Sequence, residues 1–171
     1  MKKIGLLSDT HGFLDEKLFS LFSSCDEVWH AGDIGDIAVS DTLAKFTPLR
    51  AVYGNIDGTK VRSSFPEEII FKIEEVKIFL IHIGGYPGNY FPGIKEKLTE
   101  HKPDIFICGH SNILKVIRDE KYNLLHINPG AAGKHGMHKI RTAIRFEIDG
   151  KKIQNLEVIE LGERGKIEMT S

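Results

Sequence analysis

The stretch Ile4-Gly-Leu-Leu-Ser-Asp-Thr-His-Gly12 joins a short aliphatic run to a polar segment that contains Asp9 and His11. Four further aliphatic runs are followed by glycine and polar residues in the same way: Glu27–His30, Leu49–Tyr53, Val76–Ile81 and Asp104–Cys108. Short apolar runs that end at turn residues are typical of strands buried on both faces of a sheet. The five runs therefore predict five buried strands.

Helices are predicted between these strands. One helix face is indicated by apolar residues at the spacing i, i+4, i+7 and i+8: Leu14, Leu18, Leu21 and Phe22. A second helix is expected over residues 36–46, with Asp36 capping its first turn. A third is expected over Ile94–His101, which is flanked by prolines.

The C-terminal third changes character and predicts three more strands, over Leu124–Ile127, Ala143–Ile148 and Lys152–Leu161. A hairpin turn at Asp149-Gly150 is expected to join the last two. No internal repeat, low-complexity tract or linker divides the sequence, so residues 1–171 are expected to form a single domain. The pattern predicts an α/β fold with a mixed sheet or two stacked sheets.

The composition excludes several classes of protein. The 171 residues are 41% hydrophobic and carry a formal net charge of −1, which indicates a soluble globular protein without a field that recruits nucleic acid or acidic membranes. No apolar run approaches the ~18–20 residues that span a bilayer, and the basic residues are scattered, so neither a membrane nor a dedicated nucleic-acid surface is expected. The first residues lack a long apolar segment, and Cys25 and Cys108 form no CxxC motif. We therefore expect a cytoplasmic protein.

Polar side chains of the kinds that bind metal ions follow each of the five predicted strands. They are Asp9, His11, Asp33, Asn55, His82, His110 and Asn112. Singly, each has an ordinary explanation as a turn residue, a helix cap or a histidine at the end of a strand. In open α/β sheets, however, ligands bind beyond the carboxyl ends of the strands. Five such signals at the same structural place predict one joint site.

The order of the motifs resembles that of the calcineurin-like metallophosphoesterases. The motifs are Asp9-x-His11, Gly32-Asp33-x-x-Asp36, Gly54-Asn55-x-Asp57, His82 and Gly109-His110-x-Asn112. The short length, and Gly-Asn-Ile-Asp in place of Gly-Asn-His-Asp, are similar to the small YfcE-type phosphodiesterase group. Asn128-Pro-Gly-Ala131 is similar to the Asn-Pro-Gly-Ser stretch of that group. The resemblance extends from residue 4 to about residue 148.

This resemblance implies a four-layer α/β/β/α sandwich of two mixed sheets flanked by helices. It implies a metal-dependent phosphodiesterase, in which two divalent ions activate a water molecule against a small phosphodiester. The first ion would be held by Asp9, His11 and Asp33, with Asp9 and Asp33 bridging, and the second by Asn55, His82 and His110. The remaining ligand of the family is a histidine, and Asn112 stands in its place. Small members of the group often form homodimers or homotetramers, so the resemblance makes either assembly possible, and the sequence does not reveal the oligomeric state.

The residue types suit this chemistry. Two divalent ions bring four positive charges, and Asp9 with Asp33 cancels only two of them, so the site would still attract phosphate. Mixed nitrogen and oxygen ligands favour Mn²⁺, and Ni²⁺, Fe²⁺ and Zn²⁺ are further candidates, with Mg²⁺ less favoured. The amide of Asn112 binds metal more weakly than imidazole does. The replacement of the histidine by Asn112 has three possible outcomes: a first site of lower affinity, a water molecule in the position of the lost ligand, or a protein that binds one metal. We expect two metals to bind, with lower affinity at the first site.

Other positions leave alternatives open. Ile56 cannot donate a proton to a leaving group, so we expect modest catalysis and a preference for activated diesters. Asp57 either orients a ligand histidine or serves as a turn residue. The aromatic stretch Tyr86–Phe91 either lines the substrate cleft or packs at a loop or subunit interface, and we favour packing. His135 and His138 either reach substrate phosphate or are solvated loop residues, and we favour the latter.

Two other functions compete with the phosphodiesterase. A retromer subunit of the same superfamily keeps a similar fold and binds proteins, so a non-catalytic scaffold is one alternative. A phosphomonoesterase or nucleotidase is the other, because the walls of the pocket rather than the metal ligands select the leaving group. The six matching positions favour an enzyme.

Overall fold

The computed structural model describes residues 1–165 and contains two five-stranded sheets, one two-stranded sheet and four helices in that range. In chain order the elements are β1 (Lys2–Leu7), α1 (Lys17–Leu21), β2 (Glu27–His30), α2 (Ile37–Phe46), β3 (Leu49–Ala51), α3 (Thr59–Ser64), β4 (Glu68–Ile73), β5 (Val76–Ile81), β6 (Gly85–Tyr86), β7 (Asn89–Tyr90), α4 (Ile94–His101), β8 (Ile105–Ile107), β9 (Lys115–Asp119), β10 (Leu124–Asn128), β11 (Ile140–Asp149) and β12 (Lys152–Glu163). No helix of these residues is long and apolar enough to cross a membrane.

Both sheets are mixed. The first has the order β12-β11-β1-β2-β3, in which β1, β2 and β3 are parallel and β11 runs antiparallel to β1. The second has the order β4-β5-β8-β10-β9, in which β5, β8 and β10 are parallel and the two edge strands are antiparallel. The short strands β6 and β7 pair with each other. The parallel strands of each sheet therefore end at a common edge.

Three apolar layers hold the sheets and helices together. Residues of both sheets, including Trp29 and Ile78, form the layer between them. Leu18 and Leu43, from α1 and α2, are buried with residues of the first sheet, and Leu98 of α4 is buried with residues of the second. Each buried leucine contributes about 1.5–3 kcal/mol. The predicted four-layer α/β/β/α sandwich is confirmed.

The predicted buried strands are all present, with β3 and β8 two residues shorter than expected. The helix predicted from Leu14 to Phe22 is only partly correct, because α-helix is confined to Lys17–Leu21. The apolar residues at both ends of that stretch still pack in the same core, so the spacing reflected burial and not helix length. Asp36 caps α2 as predicted, accepting a hydrogen bond from the Ala38 N–H at 2.9 Å.

The turn between β11 and β12 lies one residue later than predicted. Asp149 pairs with Lys152, so the two loop residues are Gly150 and Lys151. Gly150 adopts a φ of 63°, which glycine allows without strain.

Candidate metal centre

The loops that follow β1, β2, β3, β5 and β8 meet at one end of the sandwich. Backbone hydrogen bonds join them: the Asp9 N–H donates to Gly32 O at 3.0 Å, and the His11 N–H donates to Asp33 O at 3.0 Å. The Gly109 N–H likewise donates to His82 O at 2.9 Å. Six of the seven predicted ligands are thereby brought into one cluster, in which each lies close to at least one other: Asp9, His11, Asp33, Asn55, His82 and His110.

The six side chains form two groups that share Asp33. In the first, ligand atoms of Asp9, His11 and Asp33 all lie within 4.8 Å of one another, and in the second the same holds for Asp33, His82 and His110. Asp33 Oδ2 lies 3.4 Å from His11 Nε2 and 3.2 Å from His82 Nε2. The arrangement offers two neighbouring cation positions with one common carboxylate.

Asn55 belongs to the second group. Its Oδ1 lies 3.0 Å from His82 Nε2 and 3.0 Å from His110 Nδ1. An amide oxygen at this point adds a neutral ligand between two imidazoles, and such a mixed nitrogen and oxygen set suits a divalent transition metal.

Buried acceptors without a partner show that the residues fit a cation. Asp9 Oδ2 accepts hydrogen bonds from the Ser8 hydroxyl at 2.6 Å and from the His110 N–H at 3.1 Å. Asp9 Oδ1 is buried and accepts none, and the same is true of Asn112 Oδ1. A buried polar atom without a partner costs about 1–3 kcal/mol. A metal ion bound to Asp9 Oδ1, which belongs to the first ligand group, would remove that cost.

The two carboxylates have opposite pKa shifts. Burial raises the pKa of Asp9 to about 6, and the charge of His82 opposes this. Burial also acts to raise the pKa of Asp33, but hydrogen bonds with His11 and His82 outweigh it and hold that pKa well below its usual range. Asp33 is therefore ionised throughout the working pH range, whereas Asp9 becomes ionised near pH 6.

His82 is oriented by the backbone. Its Nδ1–H donates to Ala31 O at 2.7 Å, which directs Nε2 toward the two carboxylates. Burial acts to lower the pKa of His82, but the hydrogen bond to Asp33 and the charge of Asp9 act more strongly in the opposite direction. The pKa of His82 is therefore raised overall. A metal ion on Nε2 would displace the proton from that atom.

Backbone strain is concentrated at these residues. Among residues 1–165, nine residues other than glycine have a positive φ between 46° and 71°. Five of the nine are predicted ligands: Asp9, His11, Asp33, His110 and Asn112. Left-handed backbone of this kind is costly and collects at functional sites.

Two glycines allow the loops to approach this closely. A Cβ atom on Gly54 would lie 2.1 Å from Asp33 Oδ1. A Cβ atom on Gly109 would lie 2.2 Å from Ser8 Oγ and 2.7 Å from Asp9 Oδ2. Neither position has room for a side chain.

Asp57 braces two of the loops. Its carboxylate accepts hydrogen bonds from the N–H groups of Gly54 at 2.8 Å, Ile34 at 3.1 Å and Gly35 at 2.8 Å. Within the described residues it bonds no histidine. Of the two alternatives, the turn role therefore describes Asp57 better, and its carboxylate also braces the backbone around Asp33 and Asn55.

His30, which was not among the candidate residues of the sequence, stabilises the loops that carry Asp9 and Asp33. His30 Nδ1 accepts a hydrogen bond from the Gly32 N–H at 3.1 Å, so the proton of the neutral ring is on Nε2. The Nε2–H donates to the Thr10 hydroxyl at 3.0 Å, and that hydroxyl donates to Ile34 O at 2.9 Å. Burial lowers the pKa of His30 to about 3. It therefore remains neutral and fixes the loop before Asp33. The feature of the sequence that could have identified His30 is its position at the end of β2.

Asn128 supports the loop that carries the last two predicted ligands. Its Nδ2 donates to Gly109 O and to Ser111 Oγ, each at 3.0 Å, and its Oδ1 accepts from the Gly130 N–H at 3.0 Å. Asn112 lies in this loop beside Gly136, and its Oδ1 is buried without a hydrogen-bond partner. It makes no hydrogen bond to the other six predicted ligands within the described residues.

The remaining histidines differ in position. The ring of His135 is exposed and its centroid lies 4.7 Å from that of His11, so it borders the first group. His138 Nε2 donates to Gly133 O at 2.8 Å. His126 is buried on β10, and its ring centroid lies 5.3 Å from that of Phe106.

A cavity of about 360 Å³ adjoins the second group. Asn55, His82 and Phe91 line it. Of the aromatic stretch, Phe91 thus faces the cavity, whereas Tyr90 packs in the core and Tyr86 is exposed. Tyr90 therefore shows the packing that was favoured for this stretch, and Phe91 is placed on the wall of a cavity whose use as a substrate cleft stays a prediction.

Neither cysteine belongs to either of the two ligand groups. Burial raises the pKa of Cys108 to about 12 and that of Cys25 to about 11. The donor set is therefore limited to oxygen and imidazole nitrogen, which does not suit a closed structural zinc site.

Known proteins are similar to this chain in sequence or in fold. Residues 1–151 match the calcineurin-like phosphoesterase superfamily domain. A probable metallophosphoesterase of Methanothermobacter thermautotrophicus is 28% identical over 164 residues, which cover 93% of this chain and 92% of that protein.

Two solved structures show the same fold at low sequence identity. One, described as a novel archaeal phosphodiesterase, has a TM-score of 0.70 at 23% identity and covers 93% of this chain and 99% of its own. Vps29 of Chaetomium thermophilum has a TM-score of 0.74 at 16% identity, with coverage of 94% and 97%. The domain match spans most of the sequence, and the chain belongs to the calcineurin-like phosphoesterase superfamily.

Proposed function

We propose that this protein is a metal-dependent phosphodiesterase that works with two divalent ions, Mn²⁺ being the favoured metal. The observation that carries the proposal is the pair of ligand groups that share Asp33. A single structural ion would need only one such group, whereas phosphoryl transfer commonly uses two adjacent ions.

The donor set determines the charge of the loaded site. Asp9, His11 and Asp33 would hold one ion, and Asp33, Asn55, His82 and His110 the other. Two divalent ions, when bound, would act as Lewis acids on the phosphoryl oxygens and lower the pKa of a water molecule. Since Asp9 and Asp33 are the only anionic members of this set, the loaded site keeps a net positive charge and attracts an anionic diester.

The surrounding residues hold this set in place before substrate arrives. Ser8 and the His110 N–H fix one oxygen of Asp9, and Ala31 O fixes His82. The Ile56 N–H donates to Asp33 Oδ1 at 3.1 Å, which leaves Oδ2 between the two histidines. Ligands fixed in this way need no reorganisation during the reaction.

The metal preference follows from the ligands. Imidazole nitrogen with carboxylate and amide oxygen suits Mn²⁺ and Fe²⁺, and the absence of thiolate from this set disfavours a specialised zinc site. Because Asn112 stands where the family has a histidine, the first ion would have one imidazole nitrogen fewer, which adds to the preference for a harder ion.

The preference for a diester rests on the cavity and on Ile56. The space beside Asn55 and His82 can receive the second substituent of a diester, which a monoester lacks. The Ile56 side chain, which is 47% exposed, has no proton to give a leaving group. We therefore expect diesters with acidic leaving groups to react fastest.

The test is hydrolysis of bis-p-nitrophenyl phosphate by protein stripped with chelator and reloaded with Mn²⁺, alongside the p-nitrophenyl monoester. Asp33→Asn should abolish turnover. Asp36→Asn is the matched control, because Asp36 lies in the same loop, its side chain caps α2 and asparagine caps equally well.

Three results would count against the proposal. Faster turnover of the monoester would indicate a phosphomonoesterase. Equal activity of Asp33→Asn and wild type would remove the two-metal argument. No turnover with any metal would leave the fold as a protein-binding scaffold.

A further inference from the structure

The cavity beside the second ligand group carries an arginine that the site described so far does not use. Arg62 of α3 lines this cavity together with Asn55 and His82. The residue thus faces the space where a bound diester would extend from the metal centre.

Two backbone oxygens hold the guanidinium of Arg62 in place. Its Nε–H donates to Asp57 O at 2.6 Å, and an Nη2–H donates to Asn55 O at 3.2 Å. Its Cζ lies 4.6 Å from the centroid of the Tyr53 ring. Arg62 is therefore anchored on the backbone of the residue whose Oδ1 belongs to the second ligand group.

The charge of Arg62 has no carboxylate partner among residues 1–165. The other cation on the cavity wall, Lys97, is paired with Glu68. The one carboxylate on the wall, Glu67, is exposed and makes no ion pair with Arg62 within those residues. Both atoms that accept from Arg62 are backbone oxygens, and the ring beneath it is neutral. No anionic side chain of the described residues therefore neutralises its charge, and the exposed side chain is open to solvent and to an incoming phosphate.

A guanidinium has five N–H donors, and the two hydrogen bonds leave three of them without a partner in the described residues. Its planar fork matches the geometry of two phosphate oxygens. Because a guanidinium does not give up its proton in proteins, it stabilises charge and cannot act as a general acid.

We propose that Arg62 contacts the phosphoryl group of the substrate and stabilises the charge that develops there, supplying part of the assistance that Ile56 cannot give. The apolar wall formed by Phe91 and Ile94 then receives the alcohol substituent of the diester. This inference rests on the proposed phosphodiesterase function, and it makes Arg62 a catalytic residue.

The test compares Arg62→Met and Arg62→Lys with Arg50→Met. Arg50 is a matched control, because its guanidinium also lies over an aromatic ring, that of Phe71 at 4.4 Å, but pairs with Glu27 and does not line the cavity. Five quantities are measured. They are kcat, KM and the pH–rate profile with bis-p-nitrophenyl phosphate and the affinity for inorganic phosphate, all on Mn²⁺-loaded protein, and the affinity for Mn²⁺ on protein stripped with chelator.

Arg62→Met should lower kcat/KM about a hundredfold, the usual effect of losing one donor to a developing charge. Its affinity for inorganic phosphate should fall about tenfold, with Mn²⁺ affinity unchanged. Arg62→Lys should recover part of the loss, because lysine keeps the charge without the fork. The pH–rate profile should fall in height and keep its shape, and Arg50→Met should match the wild type.

The inference is overturned if Arg62→Met keeps the wild-type kcat/KM and phosphate affinity. It is also overturned if Mn²⁺ affinity falls by the same factor as activity, because Arg62 would then only position Asn55. Failure of the phosphodiesterase proposal is separate: wild-type protein would show no turnover, and phosphate affinity in the three variants would still decide the role of Arg62.

Discussion

Replacing Asp9 by asparagine should stabilise the metal-free protein while removing its ability to bind metal. The amide oxygen of asparagine can take the place of Asp9 Oδ2 and accept the same hydrogen bonds, from the Ser8 hydroxyl and from the His110 N–H. The amide nitrogen would then take the place of the buried Oδ1, which has no hydrogen-bond partner. The substitution therefore removes a buried charge and retains two hydrogen bonds.

The magnitude follows from the pKa of Asp9. Folding raises it from 3.8 to about 6, and a shift of about 2 pKa units corresponds to about 3 kcal/mol. A raised carboxyl pKa means that the folded state loses stability as the pH rises from 3.8 through 6. Asp9→Asn should thus be more stable than wild type by up to about 3 kcal/mol at pH 7.5, and the difference should vanish below pH 4.

The assay is urea unfolding followed by circular dichroism, with excess chelator, at several pH values between 4 and 7.5. Asp33→Asn is the matched comparison and should have the opposite sign, because the pKa of Asp33 is lowered by its hydrogen bonds with His11 and His82. Its ionised form stabilises the fold above about pH 4, so the substitution should destabilise at pH 7.5. An Asp9→Asn variant less stable than wild type at pH 7.5, or a difference independent of pH, would refute the reasoning.

Two further substitutions test the construction of the site. Asn112→His should raise the affinity of the weaker metal position about tenfold or more, because imidazole binds Mn²⁺ or Zn²⁺ better than an amide does. The measurement is a calorimetric Mn²⁺ titration, and a result identical to that of wild type would show that residue 112 does not reach the metal. Asp57→Ala leaves three backbone N–H groups without their acceptor. It should therefore lower the free energy of unfolding, measured in urea, by about 3 kcal/mol or more, and it should weaken metal binding. A variant with wild-type stability and wild-type metal affinity would contradict the bracing role.

The buried part of the fold could be predicted from the sequence, and its edges could not. The strands from Val76 to Ile81 and from Glu27 to His30 were predicted to the residue, because a strand covered on both faces must be apolar. The missed strands β4 and β9 are the two edges of the second sheet, where most side chains are half-buried or exposed and no clear pattern results. The two-residue strands β6 and β7 and the short helix α3 are too brief to show a period.

The candidate ligands could be predicted because the residue type and the position at a strand end are both visible in the sequence. Their supports could not, because those depend on contacts between distant segments. Asp57 bonds the backbone of residues 34 and 35, and His30 bonds Thr10, 20 residues away. The free guanidinium of Arg62 becomes visible only when α3 is placed beside the cavity.

The measurement that tests the account most directly is the stoichiometry and magnetic coupling of Mn²⁺ in the stripped and reloaded protein. Two ions that share the Asp33 carboxylate would lie ~3.5–4 Å apart. We expect two Mn²⁺ per chain, bound with unequal affinity, and an electron paramagnetic resonance spectrum of an exchange-coupled pair that is lost in Asp33→Asn and kept in Asp36→Asn. A single ion per chain with an isolated six-line spectrum would contradict the shared two-metal centre.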